Sequence, residues 1–189
     1  VTLTTEQKYQ RILQCLQVLE IVTFNPTDVC KEQLMEKLSL DELLQKLNIS
    51  DEFFSVKIGK LVWNCIINLL SYDDHIFDLQ KYVDCMLPQL IINTLENNGS
   101  FKMKHASLIC LSNFLLSFNI PISSVFNDDM LNVVVLSFFD FSFISFQNDQ
   151  DIFLCICKII KSLIDENKFV YFEKIDEYLR KVEEETEFD

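Results

Sequence analysis

The chain contains very few residues that favour tight turns, with two glycines and three prolines in 189 residues. All-β sandwiches and barrels need many tight turns, and nucleotide-binding α/β folds need glycine-rich loops. Two glycines also cannot build a G-x-G-x-x-G or G-x-x-x-x-G-K phosphate-binding loop. We therefore predict an all-α protein of about eight helices joined by short polar connections. No domain boundary stands out, so we expect a single helical-repeat domain over residues 1–189. The first residue is Val1 and not Met, so the sequence leaves open whether the chain is a fragment of a longer one.

The charge balance restricts the class of partner. The chain has 16 basic and 29 acidic residues, a net charge of -13. A surface that follows nucleic-acid phosphates needs clustered positive charge, so we predict no direct nucleic-acid binding. A protein or peptide partner, and a basic one in particular, suits this field better. The alternative is that the acidity serves only to keep an apolar helical protein soluble.

The seven cysteines indicate a reducing compartment. Their number is odd, they lie in apolar stretches and no C-x-x-C motif occurs, so neither a disulfide framework nor a metal site fits. Cys155 and Cys157 would lie about 200° apart on a helix and cannot chelate from one face. We predict free thiols in the core, a location in the cytoplasm or nucleus, and no metal or cofactor. No apolar run reaches 18 residues, so we predict no membrane span.

An internal repeat is the most informative pattern in the chain. Cys65, Cys110 and Cys155 are spaced by 45 residues and lie in similar apolar contexts. Two further series keep a spacing of 44 residues: Leu87, Leu131 and Ile175, and Leu90, Val134 and Tyr178. A unit of this length with two long helices cannot bury its apolar face alone, whereas stacked units share one core. The period therefore predicts an α-solenoid.

Three segments resemble helices of armadillo repeats. The segment ICLSNFL at 109–115 resembles the inner-helix signature, and VWNCIINL at 62–69 resembles a poorer copy of it. The segment MLPQLIINTL at 86–95 resembles the middle-helix pattern, and the period also suits HEAT repeats. The resemblance covers roughly residues 28–186. It implies a right-handed solenoid that acts as an intracellular protein-binding scaffold, with inner helices lining a concave groove.

Two other functions remain open at this level. One is a closed eight-helix module that binds peptides, of the kind that recognises a polymerase tail or a sorting signal. The other is a helical regulatory subunit of an enzyme complex.

The resemblance also implies which residues line the groove. Carried over by position, they are Asn64, Asn68, Ile109, Asn113, Leu154 and Lys158. An asparagine amide offers both a donor and an acceptor to an extended peptide. Trp63 is one position out of register with the aromatic ladder of importin alpha, which argues against binding of nuclear signals. The alternative for Asn68 and Asn113 is that they bond to neighbouring backbone within the repeat.

A second candidate surface lies in a long stretch that contains no Lys or Arg, from His105 to Cys157. As a helix, residues 127–146 would be polar on one narrow stripe only, interrupted by Leu136 and Phe143. These two side chains would be exposed unless something covers them, so they predict a docking site for a partner or for further repeats. The alternative is a central helix covered by its own neighbours. Alternation over Phe139–Ile144 also resembles a strand, although no partner strand is apparent.

Catalysis finds little support in the sequence. A serine or cysteine nucleophile needs a base, and the chain has only His75 and His105, both in polar surroundings. Acidic pairs lie at predicted helix starts, where the helix dipole accounts for them. We predict that the protein is not an enzyme and has no catalytic residue.

Overall fold

The computed structural model describes residues 2–72, 75–97, 99–141 and 149–186. These residues form ten α-helices and short 3-10 turns, and they contain no strand. The α-helices are α1 (Thr5–Phe24), α2 (Asp28–Lys37), α3 (Leu40–Gln45), α4 (Glu52–Leu70), α5 (Leu79–Asp84), α6 (Leu87–Asn97), α7 (Phe101–Phe118), α8 (Asp128–Ser137), α9 (Gln150–Asp165) and α10 (Phe172–Thr186). The all-α prediction is confirmed, while the number of helices within these ranges exceeds the predicted eight.

Local breaks in two predicted helices account for the larger number. Ser39 separates α2 from α3, and its side chain caps α3 by accepting a hydrogen bond from the Glu42 backbone N–H at 3.2 Å. Met86 adopts a left-handed conformation with φ 62°, and this residue separates α5 from α6. Pro88 is the second residue of α6, where its missing N–H costs no intrahelical bond. Because proline fixes its own dihedral angle and lacks a donor, the sequence predicts a kink or a fresh helix start here, and the start of α6 confirms it.

The predicted helix at 127–146 is shorter than expected. Within the described residues, α8 ends at Ser137 and a 3-10 turn continues over Phe138–Phe141. Over these aromatic residues the chain forms the tighter 3-10 helix instead of a regular α-helix. The remainder of that predicted helix, with Phe143, lies outside the described residues.

The chain divides into two compact units, Val1–Leu87 and Pro88–Asp189. In the first unit α1 packs along α4, and in the second α7 packs against α9. The second unit therefore contains a pair of long helices from successive predicted repeats, whereas α1 of the first unit precedes residues 28–186, the range that the resemblance covers. The single repeat domain over the whole chain stays a prediction.

The repeat cysteines lie in the cores of these units. Cys65 on α4, Cys110 on α7 and Cys155 on α9 are all buried. Burial raises the pKa of the Cys65 thiol to about 12, and it raises that of Cys110 as well. All seven thiols are free. The core prediction is wrong for Cys15, which is exposed because α1 fully buries only Leu16 and Thr23.

One described helix, α4, is long and apolar enough to cross a membrane by its length and composition alone. Half of the most apolar 18-residue stretch of α4 is buried inside the first unit. This stretch contains Trp63, which is wholly buried. A helix in the core of a protein can have the same length and apolar composition as a membrane-spanning helix.

Candidate partner-binding site

A groove in the first unit contains two of the predicted partner-binding residues. It has a volume of about 430 Å³ and runs between α1 and α4. We call it the α1–α4 groove, and its lining residues are Glu20, Ile21, Phe24, Asn64, Ile67 and Asn68. Asn64 and Asn68 come from α4 at a spacing of four, which places both on one face of the helix.

The amide nitrogens of both asparagines bond to α1. Asn64 Nδ2 donates to Glu20 Oε1 at 2.6 Å. Asn68 Nδ2 donates to the backbone oxygen of Glu20 at 3.3 Å and to Thr23 Oγ1 at 3.2 Å. Carboxylate and carbonyl oxygens only accept hydrogen bonds, so these contacts fix the orientation of both amides. The asparagines therefore hold α1 against α4, and their role in partner binding stays a prediction.

These bonds leave the groove rich in acceptors. With both amide nitrogens engaged, the Oδ1 atoms of Asn64 and Asn68 accept no hydrogen bond from the described residues. Glu20 Oε2 likewise accepts none from them. A carboxylate and two amide carbonyls without donors favour a ligand that brings N–H groups.

The rim of the groove is strongly apolar and exposed. Ile21 and Phe24 are each 75% exposed, and Val18 on the same helix is 61% exposed. On helical spacing Val18, Ile21 and Val22 fall within about 100° of one another, so they form one patch. Large exposed apolar patches are rare on protein surfaces that bind nothing, and they often mark interaction sites.

Sequence reasoning missed the α1 half of this groove. Ile21 lies five residues after the buried Leu16, which places it about 140° around α1 from that core residue. The structure exposes it because α4 covers only part of the α1 circumference. The one available signal was the unusually apolar end of α1, which has Ile21, Val22 and Phe24 within four residues.

The groove residues predicted in the second unit are more dispersed. Ile109 and Asn113 are half-buried on α7. Leu154 and Lys158 are exposed on α9, and Lys158 lines a cavity of about 440 Å³ with Leu115 and Ile159. The predicted ladder from Asn68 to Asn113 stays a prediction, because the two residues belong to different compact units.

Leu136 lies on the surface of α8 and is 48% exposed. Two polar residues of the predicted stripe accept hydrogen bonds from lysines. Lys174 Nζ donates to Asn132 Oδ1 at 2.6 Å. Lys104 Nζ donates to Asp140 Oδ2 at 2.8 Å. The exposure expected for Leu136 is confirmed, whereas Phe143 lies outside the described residues. A joint docking site of Leu136 and Phe143 stays a prediction.

No known protein family, curated protein or solved structure matches this chain. Across the part of the chain that the structure describes, no three His, Cys, Asp or Glu side chains are grouped so that they could hold a metal ion.

Two asparagines at equivalent positions of the predicted repeat should differ in their effect on stability. We expect Asn68→Ala to lower the free energy of unfolding by about 1–2 kcal/mol, because it removes two hydrogen bonds between α1 and α4. The Asn113 side chain makes no hydrogen bond with the described residues, so Asn113→Ala should cost less than about 0.5 kcal/mol. Urea unfolding of both variants measures the difference. Equal losses would contradict a structural role specific to Asn68.

Proposed function

We propose that this protein is an intracellular scaffold or adaptor, built as an armadillo- or HEAT-like solenoid, that binds a partner protein. Its α1–α4 groove receives an apolar side chain of the partner, with a basic or other N–H-bearing group beside it. The proposal requires no chemistry on the part of the protein. Recognition rests on a preformed surface between packed helices.

Polar contacts between residues about one repeat period apart support the repeat part of the proposal. Glu20 pairs with Asn64 and His105 with Asp149, in both cases across 44 residues of sequence. Lys168 Nζ donates to Asp128 Oδ1 across 40 residues. These separations are close to the period of 44 to 45 found in the sequence. Residues about one period apart meet when helices of successive repeats pack side by side.

The composition of the α1–α4 groove carries the binding part of the proposal. Apolar side chains that are three-quarters exposed lie beside acceptor oxygens to which no described residue donates a hydrogen bond. An apolar anchor would remove Ile21 and Phe24 from water, and buried apolar area contributes about 25 cal/mol per Å². Donors of the partner would satisfy Glu20 and the two amide carbonyls. A bulky apolar residue next to Lys or Arg offers both groups.

The net charge of -13 favours the same partner class. An acidic protein attracts basic segments over long range and speeds their association at low salt. Glu20 supplies the corresponding charge within the groove itself.

Selection of short random peptides on the immobilised protein tests this function. We expect enrichment of peptides that combine a bulky apolar residue with Lys or Arg. Phe24→Ser should weaken their binding by more than about tenfold, because it removes the aromatic side chain that lines the groove. Glu20→Gln keeps an oxygen that accepts from Asn64 but removes the charge, so it should reduce the salt dependence of binding. Titration of a labelled selected peptide, followed by fluorescence anisotropy, measures both effects.

Phe53 provides the matched control. It is 65% exposed on α4 and lies outside the groove. Phe53→Ser therefore removes a similar exposed ring and should leave peptide affinity unchanged. The proposal fails if Phe24→Ser and Phe53→Ser weaken binding equally, or if the selection enriches no common sequence.

A further inference from the structure

A second pocket of the first unit concentrates positive charge in an otherwise acidic protein. It has a volume of about 330 Å³ and lies between α1 and the α2–α3 segment. We call it the basic pocket. Its charged lining residues are Arg11, Lys37, Lys46 and Glu42, so three cations face one carboxylate. The balance is the reverse of that of the whole chain, in which acidic residues outnumber basic ones 29 to 16.

None of the three cations of the pocket forms an ion pair with a described residue. Ion pairs among the described residues occupy other basic side chains, including Lys31, Lys104 and Lys168. None of these pairs involves Arg11, Lys37 or Lys46, and no carboxylate of the described residues lies within 4.0 Å of their charged nitrogens. Three cations beside the single carboxylate of Glu42 leave an excess of positive charge, and an anion placed among them relieves their mutual repulsion.

The pocket also has an apolar interior. Leu16 and Leu43 are buried at 6% and 4% exposure and form part of its lining, together with Ile12 and Leu38. Its volume lies near the lower end of the range of ligand clefts, which suits a single bulky side chain. A ligand therefore needs an apolar group for the interior and negative charge at the rim.

We propose that the basic pocket binds an acidic segment of a partner protein. One apolar side chain of that segment enters the pocket, and flanking Asp or Glu carboxylates contact Arg11, Lys37 and Lys46. Charge complementarity selects this occupant, because the net charge of -13 disfavours acidic chains elsewhere on the protein, whereas this pocket surrounds an apolar interior with three cations that form no ion pair with the described residues. The site is separate from the α1–α4 groove, which presents acceptors and favours basic ligands.

Cys15 gives this pocket a chemical reporter. Its thiol belongs to the lining and is exposed, whereas Cys65, Cys85, Cys110 and Cys155 are buried. A ligand in the pocket covers Cys15 and should slow its alkylation. Cys30 and Cys157 are half-buried, so the measurement uses a variant in which both are replaced by serine.

A labelled peptide with one leucine flanked by glutamates tests the site by fluorescence anisotropy at low salt. We expect it to bind, and we expect the combined variant Arg11→Gln, Lys37→Gln and Lys46→Gln to bind at least about tenfold more weakly. Each single substitution should weaken binding by about threefold, as for an exposed charge pair. A peptide with serine in place of the leucine should bind more weakly, and the glutamate peptide should protect Cys15 from alkylation.

A variant with the same change in net charge provides the control. Lys57→Gln, Lys60→Gln and Lys102→Gln alter exposed lysines outside the pocket and should weaken peptide binding less than about twofold. Equal weakening by the two triple variants would overturn the proposal, because it would show attraction to overall charge alone. Absence of peptide binding, alone or alongside binding of a small anionic amphiphile such as decanoate, would overturn it too. So would binding that leaves Cys15 unprotected.

Discussion

Replacing Cys110 with aspartate is expected to unfold the second compact unit. Cys110 is wholly buried on α7, and this burial already raises the pKa of its thiol. A carboxylate at this position has no cationic partner, and a buried group of this kind destabilises strongly. We expect a loss of more than about 4 kcal/mol in the free energy of unfolding. Circular dichroism during urea denaturation should show loss of helix at much lower denaturant concentration.

Cys15→Asp is the control for this substitution. It introduces the same group on the exposed side of α1, so it should change stability by less than about 0.5 kcal/mol. Cys65→Asp should resemble Cys110→Asp, because both cysteines are fully buried and one repeat period apart. Wild-type stability of the Cys110 variant would contradict the placement of α7 in the core of its unit.

The second large effect is expected at Glu166, which follows α9. Its carboxylate accepts hydrogen bonds from the backbone N–H groups of Ile122 and Ser123 and from the Ser123 hydroxyl. Ile122 is fully buried, so loss of the carboxylate leaves its N–H without a partner away from water. We expect Glu166→Ala to lower the free energy of unfolding by about 2–3 kcal/mol, as is typical of hydrogen bonds to a charged group. Urea unfolding measures this change.

Two further variants separate this role from the general effect of charge. Glu166→Gln retains an acceptor oxygen and should lose about half as much stability. Asp165→Ala removes an exposed carboxylate that pairs with Lys161, and such pairs contribute little. A loss of stability in Asp165→Ala as large as that in Glu166→Ala would contradict the prediction.

The sequence by itself determined the helical class and many helix boundaries of this protein. Scarcity of glycine excluded the folds that need tight turns, Ser39 caps a helix with its hydroxyl as serine favours at that position, and Pro88 lies in a first helical turn. These features follow from backbone dihedral preferences and local hydrogen bonds, which involve residues a few positions apart. The 45-residue spacing also predicted the burial of three cysteines, because repeated units bury equivalent positions.

Only the tertiary structure decided which side chains form the two pockets. Asn68 has the same sequence context whether it contacts a partner or α1, and its hydrogen bonds to Glu20 and Thr23 depend on how α1 packs. The apolar end of α1 could pack against a neighbour or face solvent, and Ile21 is 75% exposed because α4 covers only part of α1. The cations of the basic pocket lie as far apart in sequence as Arg11 and Lys46 and meet only through the packing of α1 on the α2–α3 segment. Helical periodicity specifies which residues share a face, but the neighbour that covers the face is set by contacts between distant segments.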